Sequence, residues 1–279
     1  MTSSPTLTFN DGNTIPQLGY GVWQVEDDVA EKVVRQAFEA GFRHIDTAKI
    51  YGNESGVGRA IAASGLSPEE IFITTKLWNA DQGYESTLAA FEESLDRLGL
   101  ETLDLYLIHW QQPKQDKYVD TWKALVELQK RGRVKSIGVS NFTVEGLQRI
   151  IDETGVVPAI NQVELHPFFN QSELRGFNAS KGILTQAWSP LGQGGELLEN
   201  ATIAEIAAKH QATPAQVVIA WHLAIGNVVI PKSVTESRIQ ENFAALSVKL
   251  DDVDVEAING LDRGAEGRIG PDPAVSDFA

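Results

Sequence analysis

Ile45-Asp46-Thr47-Ala48-Lys49-Ile50-Tyr51-Gly52-Asn53-Glu54 is the stretch from which the fold is read. The apolar run 42–45 has the length of a buried strand, and Gly52 turns the chain into a helix predicted over 54–64. The same strand-to-helix step recurs downstream: strand 71–75 with helix 84–98, strand 103–108 with helix 118–131, strand 134–139 with helix 144–154, and strand 159–163 with helix 172–181. Strand 183–187 leads to two short helices, 203–210 and 214–224, the second opened by Thr213 as N-cap and Pro214 at the first helical position. Upstream, strand 18–22 leads to helix 28–40, where Val29, Val33, Ala37 and Phe38 share a face and Gly41 is the stop. Strand 228–230 and helix 236–245 come last. Counted from Leu18, these are eight strand-then-helix units with no break in composition. A single α/β domain over 1–279, a closed (β/α)8 TIM barrel, accounts for that pattern better than an open sheet.

Two segments stand outside the repeat. Residues 6–16 carry Asn10-Asp11-Gly12-Asn13 between short apolar runs and predict a β-hairpin. The tail 251–279 holds one short helix, 253–261, and then an irregular Gly- and Pro-containing segment. That segment either covers the barrel mouth, the arrangement expected here, or frays.

With 279 residues, 42% of them hydrophobic, the chain is long enough for one large core. It has no cysteine, which excludes disulfides, thiolate catalysis and cysteine-ligated zinc. No membrane-length apolar run occurs, and no secretory leader is visible at the amino end, so a cytoplasmic protein is expected. A net charge of −15 disfavours nucleic acid and anionic membranes as partners and makes any local basic site stand out.

In a barrel, the carboxyl ends of the strands share one mouth, so Asp46, Tyr51, Lys76 and His109 converge there from three consecutive strands. Singly each has an ordinary reading, as a cap, a packing ring, a snorkelling lysine or a satisfied core histidine. Together they suit proton transfer. A buried ammonium favours a nearby phenolate, Asp46 keeps the ammonium charged, and His109 donates a hydrogen bond to a substrate oxygen. Tyr51 is then the general acid for a carbonyl being reduced, with its pKa expected to be lowered by Lys76. The five histidines include no His-x-His pair, and no metal site is expected.

Reduction needs a hydride source, yet the Rossmann fingerprint is missing: Gly56-Val57-Gly58 has Ile61 where a third glycine should stand and follows a loop. A different phosphate site is offered by the stretch from Ile230 to Arg238, a strand end running into a helix N-terminus flanked by Lys232 and Arg238. Trp188 ends the seventh strand and suits stacking on a flat ring such as nicotinamide. Ser140, Asn141 and Gln162 present hydroxyl and amide groups suited to a carboxamide. Trp23, Trp78 and Trp110 follow strands one, three and four as an apolar rim, while Trp122 and Trp221 lie inside helices and are expected in the core.

These residues resemble the aldo-keto reductases over essentially the whole chain, most closely the bacterial branch that includes 2,5-diketo-D-gluconate reductases. The resemblance is carried by Leu18-Gly19-Tyr20-Gly21-Val22-Trp23, Asp46-Thr47-Ala48 with Tyr51-Gly52-Asn53-Glu54, Thr75-Lys76-Leu77-Trp78, Ile108-His109-Trp110, Gly138-Val139-Ser140-Asn141-Phe142, Asn161-Gln162, Ser189-Pro190-Leu191-Gly192, and Ile230-Pro231-Lys232-Ser233 with Glu241-Asn242. It implies an Asp46/Tyr51/Lys76/His109 tetrad with Tyr51 as acid, and NADPH as cofactor, with NADH a weaker alternative. It implies further that Trp188 stacks on nicotinamide while Ser140, Asn141 and Gln162 hold the carboxamide. Lys232, Ser233 and Arg238 match positions that take the 2′-phosphate, and Glu241 and Asn242 lie toward the adenine. Gly21, Val22, Asp46, Ser189, Leu191 and Val234 complete the implied cofactor set; Trp23, Ile50, Trp78, His109 and Trp110 form the implied substrate set.

Lys49 and the pair Gln111-Gln112 depart from the family pattern, and the segments after Trp110 and after Gly192 are short. A shortened rim predicts an open, permissive mouth. The expectation is therefore a monomeric NADPH-dependent reductase of aldehydes and ketones, among them α-dicarbonyls and keto-sugar acids such as 2,5-diketo-D-gluconate. The competing expectation is an NADPH-binding sensor or regulatory subunit with little turnover.

Overall fold

The computed structural model describes residues 4–278. Strands β1 (Thr6–Thr8) and β2 (Thr14–Pro16) pair antiparallel as the predicted hairpin. Phe9 and Ile15 are buried with Phe72, Leu105, Ala159 and Val228, which lie at or near the amino ends of barrel strands, so the hairpin closes the floor of the barrel.

Eight parallel strands follow: β3 (Tyr20–Gly21), β4 (His44–Asp46), β5 (Phe72–Leu77), β6 (Leu103–Ile108), β7 (Val134–Ser140), β8 (Ile160–Glu164), β9 (Leu184–Trp188) and β10 (Val228–Val229). Each pairs with its sequence neighbour. The ring closes where Leu18 bridges Val229 in parallel, with Gly19 N donating to Val229 O at 2.9 Å and Val229 N to Gln17 O at 2.9 Å. Several strands extend one or two residues beyond their predicted carboxyl ends, and β3 and β10 are shorter than predicted. The extension follows from backbone pairing, which continues through polar residues such as Lys76 and Glu164 that an apolar pattern cannot count.

The shell is α1 (Asp27–Ala40), α2 (Glu54–Ala63), α3 (Tyr84–Leu98), α4 (Tyr118–Lys130), α5 (Val144–Thr154), α6 (Ser172–Ser180), α7 (Ala201–His210), α8 (Pro214–Ala224) and α9 (Glu236–Ala244), with α10 (Asp252–Asn259) in the tail. Local chemistry sets several boundaries. Asn200 caps α7 by accepting from Thr202 N, which starts that helix two residues before its apolar pattern does. Thr213 and Gln216 form a capping box on α8, with Pro214 in the first turn. Gly41 ends α1 in the left-handed region at φ 114°, and a Cβ there would lie 2.6 Å from the Phe243 ring. Trp122 and Trp221 are fully buried, as their helical placement predicts.

Candidate active site

Strand register brings the polar residues together. Asp46 pairs with Thr74, and side chains two apart share a strand face, so Lys76 follows Thr74 on the inner face, one step nearer the mouth. Lys76 Nζ reaches Asp46 Oδ1 at 2.5 Å and Thr47 O at 2.8 Å, with both side chains buried. From across the barrel, Gln162 Nε2 donates to Asp46 Oδ2 at 2.8 Å, so both carboxylate oxygens are engaged.

Tyr51 stands on the 3-10 turn Lys49–Tyr51, with Lys76 Nζ 5.1 Å from its ring centroid. Burial alone would lower the Lys76 pKa, but Asp46 and then Tyr51 outweigh it and the net shift is upward, so the ammonium stays charged. Tyr51 departs from expectation. Lys76 pulls its pKa down, but burial, the largest effect, pushes it up, Asp46 adds to that, and the phenol ends above its ordinary value. It is a held proton, not a phenolate.

The His109 ring lies 5.7 Å from that of Tyr51 at 76° and 5.4 Å from that of Trp78 at 75°. Burial, and then the charge of Lys76, hold its pKa well below the usual histidine range, so the imidazole is neutral at neutral pH. Its Nδ1 is buried without a partner among the described residues, unlike a satisfied core histidine.

Asn141, at φ 57°, laces the mouth together. Its Nδ2 donates to His109 O at 3.0 Å and to Ser140 Oγ at 3.1 Å, and its Oδ1 accepts from Trp188 Nε1 at 2.8 Å. Ser140 Oγ donates to Gln162 O at 2.9 Å. Ser140, Asn141, Gln162 and Trp188 thus form one connected wall, and Asn141 Oδ1 keeps a second lone pair for a ligand N–H. Trp188, Ser189 and Leu191 are half-buried beside it.

Across the mouth, Gly21 backs onto Ile230, whose carbonyl would lie 3.1 Å from an added Cβ, and Val22 N donates to Asp46 O at 3.1 Å. Beyond β10, the N-cap Thr235 of α9 makes no side-chain cap bond, leaving the helix's first N–H groups without one. Ser233 Oγ accepts from Thr235 N at 3.1 Å, and Ser233 O accepts from the buried hydroxyl of Tyr20. Lys232, Val234 and Arg238 are exposed, and among the described residues neither cation has a carboxylate within ion-pair distance. Backbone donors beside two unpaired cations are an arrangement suited to an anion, in an otherwise acidic chain. Asn242 is buried nearby in α9. Glu241, also in α9, accepts at its carboxylate from Thr213 Oγ1 at 2.6 Å and at its carbonyl from Gln216 Nε2, so it ties α9 to the start of α8.

The rim is apolar. Trp23 and Ile50 are 44% and 47% exposed, Trp78 is half-buried and Trp110 buried. The tail covers part of the mouth: the Phe278 ring lies 5.0 Å from that of Trp110 and 6.1 Å from that of Trp78, and its carbonyl accepts from Asn79 Nδ2 at 2.8 Å. Short loops therefore do not leave the mouth fully open. Phe278 roofs one side, and Trp23 and Ile50 line the other.

Sequence reasoning missed three contributors. Asn53 accepts from Thr47 Oγ1 at 2.7 Å and donates to Val22 O and Val25 O, clamping the Tyr51 loop to the loop after β3. Glu164 lies one residue past the predicted strand 159–163 and ends β8. Phe278 carried no signal at all.

A family model described as the aldo/keto reductase family matches residues 16–263. An aldo-keto reductase of Mycolicibacterium smegmatis is 54% identical over 275 residues, covering 99% of each chain. The methylglyoxal reductase DkgA of Salmonella typhimurium is 52% identical over 273 residues, covering 97% of this chain and 98% of its own. A crystal structure of a Gox0644 mutant in complex with NADPH superposes with a TM-score of 0.95 at 52% identity, covering 99% of this chain and 100% of that one.

Proposed function

The chain belongs to the aldo/keto reductase family, and from that premise we propose that it is an NADPH-dependent reductase of small aldehydes and ketones, with Tyr51 as the general acid. The observation that carries this is the Asp46–Lys76 ion pair beneath Tyr51, with neutral His109 alongside, in one apolar mouth. The wall of Ser140, Asn141, Gln162 and Trp188 and the anion site of Lys232, Ser233 and Arg238 fit a nicotinamide at one end and a 2′-phosphate at the other. When bound, the reduced cofactor supplies the hydride. Tyr51 holds the proton that the carbonyl oxygen takes as it becomes an alkoxide. Lys76, kept charged by Asp46, stabilises the negative charge left on the phenol. His109, uncharged, orients the carbonyl through a hydrogen bond without competing as an acid.

The close relative named methylglyoxal reductase, together with a mouth lined by tryptophans and roofed by Phe278, supports α-dicarbonyls as substrates ahead of long keto-sugar acids. A monomer in the cytoplasm completes the proposal; no helix among the described residues is long and apolar enough to cross a membrane. The test is a panel of α-dicarbonyls, keto-sugar acids and aromatic aldehydes, followed by loss of reduced-cofactor absorbance. Turnover of a dicarbonyl with NADPH is expected. Failure to bind NADPH, or near-full turnover by Tyr51→Phe, overturns the proposal.

A further inference from the structure

One buried carboxylate at the mouth has no part in the chemistry above. Glu164 ends β8 on the same face as Gln162, two residues earlier, and its side chain is 2% exposed. Its Oε1 accepts from His166 Nε2 at 3.1 Å and from the backbone N–H of Ile269 at 2.6 Å; its Oε2 accepts from the backbone N–H of Gly270 at 2.7 Å. Burial would raise its pKa, but these three hydrogen bonds outweigh it and the net shift is downward. A buried carboxylate gripping two consecutive amides of a segment more than a hundred residues away is costly unless the grip is needed.

What it grips lies against Trp188. Glu164 and Trp188 are register partners across β8 and β9. Gly270 sits so close to the indole that an added Cβ would be 2.5 Å from Trp188 Cη2 and 2.9 Å from Glu164 Oε2. The ring is therefore fixed at two ends: Asn141 holds its Nε1, and Gly270 abuts its six-membered edge. The tail reaches this point along β8's continuation, where Arg263 N donates to Phe168 O at 2.9 Å and the guanidinium groups of Arg263 and Arg268 lie 3.6 Å and 4.7 Å over the rings of Phe168 and Phe169.

We propose that Glu164 is a positioning residue for the cofactor: by holding the amides of Ile269 and Gly270, it sets the tail against Trp188 and so fixes the indole plane on which the nicotinamide rests. This depends on Trp188 being that platform, as proposed above. It links the carboxyl-terminal tail to cofactor binding as well as to the substrate roof formed by Phe278.

The test compares wild type with Glu164→Gln, Glu164→Ala and Gly270→Ala. For each, NADPH Kd is measured by calorimetry, Tm by circular dichroism, kcat and KM on one dicarbonyl, and tail cleavage by limited proteolysis without cofactor. Glu164→Gln keeps one carbonyl oxygen but sets an amide donor against a backbone N–H, so Kd should rise about tenfold; Glu164→Ala should exceed that, roughly thirtyfold, with faster tail cleavage. Gly270→Ala leaves the Glu164 side chain present but sets a methyl 2.5 Å from Trp188 Cη2 and 2.9 Å from Glu164 Oε2, so ring and carboxylate must both give way; Kd should rise about tenfold, with a lowered Tm. Carbonyl KM should move less than Kd throughout. A folded Glu164→Ala with wild-type Kd overturns the positioning role, as does a rise in carbonyl KM alone. Should Glu164→Ala fail to fold, the near-isosteric Glu164→Gln decides by the same Kd criterion. Wild type that binds and turns over NADPH while all three variants match it sinks this inference alone; wild type that does not bind NADPH sinks the functional proposal with it.

Discussion

In the proposed reaction, Tyr51 and Lys76 divide the labour of one proton. The phenol lies above its ordinary pKa because burial exceeds the pull of the ammonium, so it keeps its proton at neutral pH; in the proposed reaction it gives that proton to the substrate oxygen and Lys76 stabilises the anion left behind. Tyr51→Phe is expected to lower kcat by roughly 10²- to 10⁴-fold, the span of a lost general acid, while NADPH Kd stays near wild type. Steady-state kinetics paired with calorimetry separate the two effects. Lys76→Met removes the buried partner of Asp46 and leaves a carboxylate answered only by Gln162. It should cost activity and also on the order of 3 kcal/mol of stability, read as a lower urea midpoint. That Asp46, Tyr51, Lys76 and His109 meet at one mouth was legible in sequence, because each stands at or just past the carboxyl end of a strand. The protonation state of Tyr51 was not, since it depends on how much water the assembled mouth excludes.

Among the elements, α9 and the turn after β4 matter most. The open N-terminus of α9 with Lys232 and Arg238 predicts that Arg238→Ala weakens NADPH binding by about tenfold and leaves NADH binding almost unmoved, since only the 2′-phosphate meets that charge. Comparison of KM for the two cofactors, in low and high salt, checks it; equal weakening of both would contradict the assignment. Lys49, a departure from the family pattern, bridges Asp81 at 2.8 Å and Glu93 at 3.1 Å, tying the turn that bears Tyr51 to the loop after Trp78 and to α3. The groups are partly exposed, so Lys49→Ala should cost less than about 1 kcal/mol, and salt should erase most of the difference in melting temperature. Helix positions followed from periodicity and caps such as Thr213-Pro214, which are local. The bond of Glu241 to Thr213 did not, because it joins residues 28 positions apart.

The molecule as a whole carries three buried histidines that fold neutral. Burial lowers His44 to about 4 and His222 to about 3, and holds His109 well below its usual range. In the unfolded chain these groups titrate near 6.5, so between about pH 6.5 and pH 4 the unfolded state binds protons that the folded state refuses. Stability is thus full above about pH 6.5 and falls with acidification, by on the order of 3 kcal/mol for His44 alone across that window. Thermal melts from pH 7.5 to pH 4.5 should show a steady drop in Tm, smaller in His44→Gln; a Tm independent of pH would refute it. Solution scattering checks the proposed monomer.

By itself the sequence determined the number and order of the strand-then-helix units, hence the barrel, because hydrophobic periodicity and turn residues are short-range codes. It likewise determined which polar residues stand at the strand ends, since chain position alone puts them there. Tertiary structure decided what those residues do to one another. It set the neutrality of His109, the upward shift of Tyr51, the capture of Glu241 by Thr213, and the descent of the tail onto Trp110, Trp188 and Glu164. Desolvation and contacts between distant segments depend on the closed volume of the barrel, a quantity that exists only once all eight strands have met.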